Sequence, residues 1–234
     1  MNRQAQAAIL FLLGAALLHA GLTDLYLRYV KAGLRPLVLA AGVVLIATAL
    51  ATAWYEWRAK KEEHAHHEPR VSWLLVLPLF ALILVAPPAL GSYSAMRTGT
   101  ALQQSYGYAQ LPADGPLRLS LADYAGRAVY EHGRDLADRQ IRISGFVALD
   151  RSGAPYLVRM ALNCCAADAQ PVKVGLTGTI PPVLQPDSWL EITGTYTTKQ
   201  TRDPVNKGPI PFIEVTSAKP VPTPHDPYDE TWNN

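Results

Sequence analysis

The chain has 234 residues, 49% hydrophobic and 17% charged, with a formal net charge of +2. That length suits one or two domains. Residues 1–100 carry nine Lys/Arg against five Asp/Glu and residues 101–234 carry twelve against fourteen, so the second part is net negative, which argues against nucleic acid as a ligand, since a phosphate backbone needs cations to grip.

Three apolar stretches lie in the first part. "AQAAILFLLGAALLHAGL" covers Ala5 to Leu22 and can run on to Leu27; "PLVLAAGVVLIATALATAWYEW" covers Pro36 to Trp57; "VSWLLVLPLFALILVAPPAL" covers Val71 to Leu90. Each approaches the roughly 20 apolar residues that cross a hydrocarbon layer, and a backbone in lipid satisfies its own hydrogen bonds best as a helix. The sequence therefore predicts a transmembrane region over 1–91 with three helices, at about 5–27, 36–57 and 71–90. Pro78 is expected to kink the third, and Pro87-Pro88 to end it. The first apolar run is too long for a cleaved signal peptide and a second follows almost at once, so it reads as a retained helix. Trp54, Tyr55, Trp57 and Trp73 cluster as interfacial aromatics do.

With the N-terminus inside, the cytoplasm receives Arg3, Arg58, Lys60, Lys61 and Arg70, while the outside receives Arg28, Lys31, Arg35 and Arg97. The positive-inside rule favours that arrangement by one residue, and an odd number of helices then makes the C-terminal domain extracytoplasmic in a multi-pass protein of the cell membrane.

Two polar features belong to this region. His19 and Asp24 stand at or near membrane depth, where ionisable groups are costly and suggest function. Five residues apart, they point about 140° away from each other on an ideal helix, so a helix–helix hydrogen bond is as good a reading as transport. The loop 58–70, "RAKKEEHAHHEPR", holds His64, His66 and His67. Such a set can collect divalent metal ions, although a solvated polar loop has the same composition.

Residues 92–116 are polar and small, and read as a linker of limited order. From 117 to 222 the pattern is that of a small all-β domain. Ser120 is an N-cap candidate for a short helix over Leu121 to Tyr124. Strands follow at Ile141–Val147, Tyr156–Leu162, Val172–Leu176, around Trp189, Leu190 and Ile192, and around Phe212, Ile213 and Val215. Gly145 marks a bulge or a close approach. Five short strands suit an OB-like barrel better than a sandwich. Residues 223–234 form an irregular tail.

The chain's only two cysteines, Cys164 and Cys165, are adjacent. A disulfide between neighbours closes a strained ring, and strained disulfides are the reducible ones. Two thiolates can instead hold a soft ion such as Cu(I), Zn(II) or a metalloid, with Asp168 close enough in sequence to add a ligand. A buried, inert cysteine pair is the plain alternative. No nucleophile elbow, phosphate-binding glycine loop or CxxC is present, so no enzyme activity is expected and no catalytic residue is assigned.

"IRISGFVALD", "YLVRMALNCCAADAQPVKVGL" and "WLEITGTY" resemble the C-terminal domain of the YcgQ-like bacterial membrane proteins, described as permease subunits. Arg159, Cys164, Cys165, Ala166, Ala167, Asp168 and Ala169 match an R-F-x-x-x-C-C-A-A-D-A-type signature, with Met160 in place of the usual aromatic. The likeness spans most of the chain and is strongest across 141–197. It implies a multi-helix integral membrane permease of the YraQ-like type as partner. The sequence thus predicts an accessory subunit of a two-component permease, whose outer domain presents Cys164, Cys165 and Asp168 to a ligand or to zinc or another thiophilic metal. The alternatives are a membrane-anchored thiol redox or envelope-stress module, or a purely structural membrane protein.

Overall fold

The computed structural model describes residues 3–59, 70–85, 87–104 and 107–230. It divides into two compact units, residues 1–88 and 89–234.

Among the described residues, the first unit holds the α-helices α1 (Arg3–Leu22), α2 (Arg35–Ala59) and α3 (Val76–Leu84). Among the described residues, two spans are long and apolar enough to cross a membrane, Arg3–Leu22 and Ala32–Arg58. Only 17% and 11% of their most apolar windows are buried, unlike the core helix of a soluble protein, and this is compatible with association with a membrane. α1 and α2 pack with their backbones close together. A Cβ on Gly14 would stand 2.8 Å from the Gly42 carbonyl oxygen, so glycine is what allows this approach. The third apolar stretch folds differently from the first two: a 3-10 turn over Arg70–Leu75 leads into α3, a helix of only nine residues. Pro78 occupies the first turn of α3, where a missing N–H costs nothing.

The second unit is a closed five-stranded mixed barrel with additions. α4 (Ser92–Arg97) opens it, followed by β1 (Leu117–Arg118) and α5 (Leu121–Tyr130). The barrel strands are β2 (Ile141–Leu149), β3 (Pro155–Leu162), β4 (Gln170–Gly178), β5 (Trp189–Arg202) and β6 (Pro209–Pro220), and β7 (Tyr228–Glu230) comes last. The order around the barrel is β2-β5-β6-β4-β3, closed by pairing of β3 with β2. All these joins are antiparallel except β4–β6. The five strands predicted from alternation are those that form the barrel. β1 and β7 are additional, too short for the sequence pattern to mark.

Alternation sorts the side chains. Val147 and Leu157 join Ile143, Val172, Val174, Ile192 and Ile213 in the larger core cluster, while their neighbours Phe146 and Val158 join Ala95 of α4, Met160, Trp189 and Tyr228 in a second cluster. α5 adds Leu121, Tyr124, Ala125 and Ala128 to the larger cluster, the i, i+3, i+4, i+7 stripe of an amphipathic helix. Ser120 caps it, accepting from the Asp123 N–H at 3.0 Å. The helix runs to Tyr130, beyond the expected Tyr124, because this stripe continues through Ala128. Gly145 is a close approach: a Cβ there would lie 2.6 Å from the Val158 carbonyl oxygen.

Residues 92–116, expected to form a linker, include α4 and a segment tied to the barrel. Lys173 of β4 is buried and donates to Asp203 at 2.7 Å and to the Thr98 carbonyl at 2.8 Å. Asp203 also accepts from the Thr100 N–H at 3.0 Å, and the Ala101 N–H donates to the Pro171 carbonyl. Removing one member of a buried pair leaves the other charged and desolvated. Lys173→Met is therefore expected to cost about 3–5 kcal/mol, read as a lowered denaturant midpoint of the full chain in detergent. Lys219→Met, on an exposed position of β6, serves as control and is expected to change stability by no more than about 0.5 kcal/mol.

Candidate functional site

Cys164, Cys165 and Asp168 come together in the connection from β3 to β4. β3 ends at Leu162, and a single 3-10 turn, Ala166–Asp168, precedes β4. The turn is set by a capping box in which Cys165 stands where serine or threonine usually does. Its side chain accepts from the Asp168 backbone N–H, and the Asp168 carboxylate accepts from the Cys165 N–H. The residues C-A-A-D carry this spacing, with cysteine as a substitute cap. That signal was available in the sequence, but it is obscured because the capping-box pattern is normally sought with a hydroxyl residue.

The carboxylate organises the whole loop. Asp168 Oδ1 accepts from the Asn163 N–H at 3.1 Å and from the Cys165 N–H at 3.4 Å, and Oδ2 accepts from the Cys164 N–H at 2.8 Å. Three successive amides thus converge on one side chain. Both cysteines are free thiols, Cys164 exposed and Cys165 half-buried, with 3.7 Å between the sulfurs. One ligand atom from each of Cys164, Cys165 and Asp168 lies within 4.8 Å of the others.

The electrostatics follow from that crowding. The hydrogen bond from the Cys164 thiol to Asp168, helped by the contact with Cys165, pushes this thiol up to about 12. Burial would by itself raise the Asp168 carboxyl, but the thiol and the three backbone N–H donors outweigh it and hold the carboxyl below its ordinary value. A folded carboxyl that binds its proton more weakly than the unfolded one stabilises the fold above about pH 3.9. That contribution is lost as pH falls through the lower folded value. At neutral pH the site is an ionised carboxylate with a protonated Cys164 leaning on it.

Arg159, the arginine of the signature, is not a ligand in this cluster. It lies on β3, donates to Asp229 at 2.9 Å and to the Tyr228 carbonyl at 3.0 Å, and stacks 5.1 Å from the centre of the Trp189 ring. Its role is to fasten β7 beside β3, which pairs with it from Met160 to Leu162, just before the cysteines. Sequence reasoning missed this anchoring because Asp229 lies 70 residues away in a tail without regular pattern.

The other expected site residues lie in the first unit or outside the described residues. His19 is exposed in the last turn of α1. Asp24 lies past the end of α1 at φ 60°, facing Arg35 at 3.7 Å, and Arg35 also donates to the Gly21 carbonyl at 3.0 Å. This arrangement suits a connection between helices, with a cation at the negative end of α1. His64, His66 and His67 fall outside the described residues.

Residues 102–229 match the DUF1980 C-terminal domain. The chain belongs to the DUF1980 family. The match covers the barrel, the helix before it and nearly all of β7, including the cysteine loop. No curated protein matches the chain.

If the Asp168 carboxylate is what holds the Cys164 proton, Asp168→Asn should bring that thiol down toward the ordinary cysteine range near about 8.5. The check is the pH profile of Cys164 alkylation in a Cys165→Ser background, which should move to lower pH. A profile that stays in place would remove the carboxylate from this role.

Proposed function

We propose that this DUF1980 protein is a membrane-anchored accessory subunit whose OB-like domain binds a thiophilic metal ion through Cys164, Cys165 and Asp168. The observation that carries this reading is the sulfur–sulfur separation of 3.7 Å. Two thiolates bound about 2.3 Å from a tetrahedral zinc centre stand about 3.8 Å apart, whereas a disulfide requires about 2.05 Å. The pair is therefore spaced for a soft ion with little movement, and Asp168 offers a third, oxygen ligand. Three protein ligands leave a fourth position open to water, a second ligand or a partner, which suits a site that passes its ion on better than one that only holds a fold together.

The order β2-β5-β6-β4-β3, with its one parallel join, is how an OB-like barrel closes, and α1 and α2 are apolar enough to serve as the anchor. A third membrane pass through 71–90 and an extracytoplasmic barrel complete the topology of this reading. The resemblance to YcgQ-like proteins supplies the partner, a multi-helix permease, to which the barrel would deliver or from which it would accept the ion.

Binding must displace the Cys164 proton, because the ligand is the thiolate. With that thiol raised to about 12, the proton is in place throughout the neutral range, so affinity should rise with pH, by about tenfold per unit for each proton released. Titration of the reduced full chain in detergent with Cd²⁺ tests this through the thiolate-to-metal charge-transfer absorption. One equivalent is expected to bind, more tightly at pH 8 than at pH 6, and Cys164→Ser or Cys165→Ser should abolish the band. A reduced protein that shows no such band, but cycles reversibly between dithiol and disulfide, would replace this reading with the redox one.

A further inference from the structure

A second surface of the barrel unit bears on how the domain is held. A cleft of about 730 Å³ opens between α4, the turn from β2 to β3 and the turn from β5 to β6. Its apolar side is formed by Tyr93, Met96, Leu149 and Val205. Tyr93 and Val205 are 69% and 52% exposed, and only Val183 joins them as an exposed large hydrophobic among the described residues of this unit. Two of these three residues thus border one cleft.

The charges around the cleft select the occupant. Arg97 and Arg151 line it, both exposed, and neither makes an ion pair among the described residues. Arg97 lies 4.1 Å from the centre of the Tyr93 ring, so cation and aromatic present themselves together. Arg202 at the end of β5 and Lys207 on the turn to β6 are also exposed and flank Val205, with the Arg202 guanidinium donating to the Lys207 carbonyl at 3.1 Å. Each carboxylate nearby is already hydrogen-bonded, although Asp187 stays exposed and Asp150 is only half-buried. Asp150 accepts from Ser152 and Ala154, Asp187 accepts from Ser92, and Asp203 is buried against Lys173. Around the cleft the exposed cations Arg97, Arg151, Arg202 and Lys207 outnumber the one exposed carboxylate, Asp187, beside an aromatic and an aliphatic side chain, a set suited to anionic lipid headgroups.

We propose that this cleft rim docks on anionic lipid headgroups, on the same bilayer that holds the chain's own helices. The inference rests on the membrane-anchored reading above. α4 begins at Ser92, just after the first unit ends at Pro88, so the tether keeps the surface at high effective concentration and modest affinity suffices. The cysteine loop follows the far end of β3 from the turn at 149–155, about 25 Å away at the rise of an extended strand. Docking of the cleft therefore leaves the thiols facing water or a partner.

The test places a spin label at Val205→Cys in the full chain carrying Cys164→Ser and Cys165→Ser. The chain is reconstituted in vesicles of phosphatidylcholine alone or with phosphatidylglycerol. The proposal expects the label to be shielded from a water-soluble relaxation agent, and accessible to oxygen, only when phosphatidylglycerol is present. Arg97→Glu with Arg151→Glu should return it to the aqueous value, and a label at Ser217→Cys on β6 should remain aqueous throughout. A label at Val44→Cys on α2 reports separately whether the chain spans the bilayer. Val44 in lipid with Val205 aqueous in both vesicles overturns the docking and leaves the anchor standing, whereas Val44 in water overturns both. Equal shielding of Val205 with and without phosphatidylglycerol overturns the headgroup assignment.

Discussion

The pairing of β2 with β3 closes the barrel, and it does so over only part of their lengths. The two strands are joined from Phe146–Val158 to Leu149–Pro155 and then part. Below that point β2 turns its free edge to β1 at Ile141 and Arg142, and β3 turns its free edge to β7 from Met160 to Leu162. Two very short parallel strands thus cover what a split closure would leave exposed, and unpaired strand edges are a liability for any sheet. Gly145 lies next to the start of the join, where the Val158 carbonyl comes too near for any side chain. The β3 lip continues directly into the cysteine loop. The thiols therefore sit beyond the parted end of the barrel, on backbone that no neighbouring strand fixes.

That position explains the burden carried by Asp168. A loop leaving an open strand end has amides without ladder partners, and buried or crowded N–H groups must find acceptors. One carboxylate takes three of them. The same side chain then determines the chemistry of the adjacent thiol, because an acceptor with full negative charge favours the protonated sulfur. Structure and reactivity are coupled here through a single residue. On the proposed reading, a cation arriving at the site would relieve the repulsion that keeps Cys164 protonated and would compete with that proton.

Much of the barrel was legible in the sequence, because burial on one face imposes a period of two that composition displays. Ile141, Ile143 and Phe146-Val147, or Leu190 and Ile192, show it plainly. The cysteine–carboxylate cluster was legible too, since its members lie within five residues. Contacts made at long range were not. Nothing in the sequence of Lys173 distinguishes a buried lysine from a surface one. Its partner Asp203 is 30 residues on, and its second acceptor, the Thr98 carbonyl, is in a stretch whose small polar residues suggest a free tether. The apolar run at 71–90 shows the opposite limit. Its hydropathy matches that of the two longer spans, but α3 ends at Leu84, shortly before Pro87-Pro88, and hydropathy does not register those prolines.

The strap at Thr98 and Thr100 has a practical corollary for where the barrel begins. The family match opens at residue 102, yet the backbone groups that complete the Lys173–Asp203 pair from the N-terminal side lie before that point. A fragment cut at the edge of the match would fold with an ammonium lacking one acceptor and a carboxylate lacking one donor, in a place water reaches poorly. The unit defined by shared sequence is thus smaller than the unit defined by satisfied polar groups. A fragment meant to stand alone should therefore start ahead of α4, near residue 89.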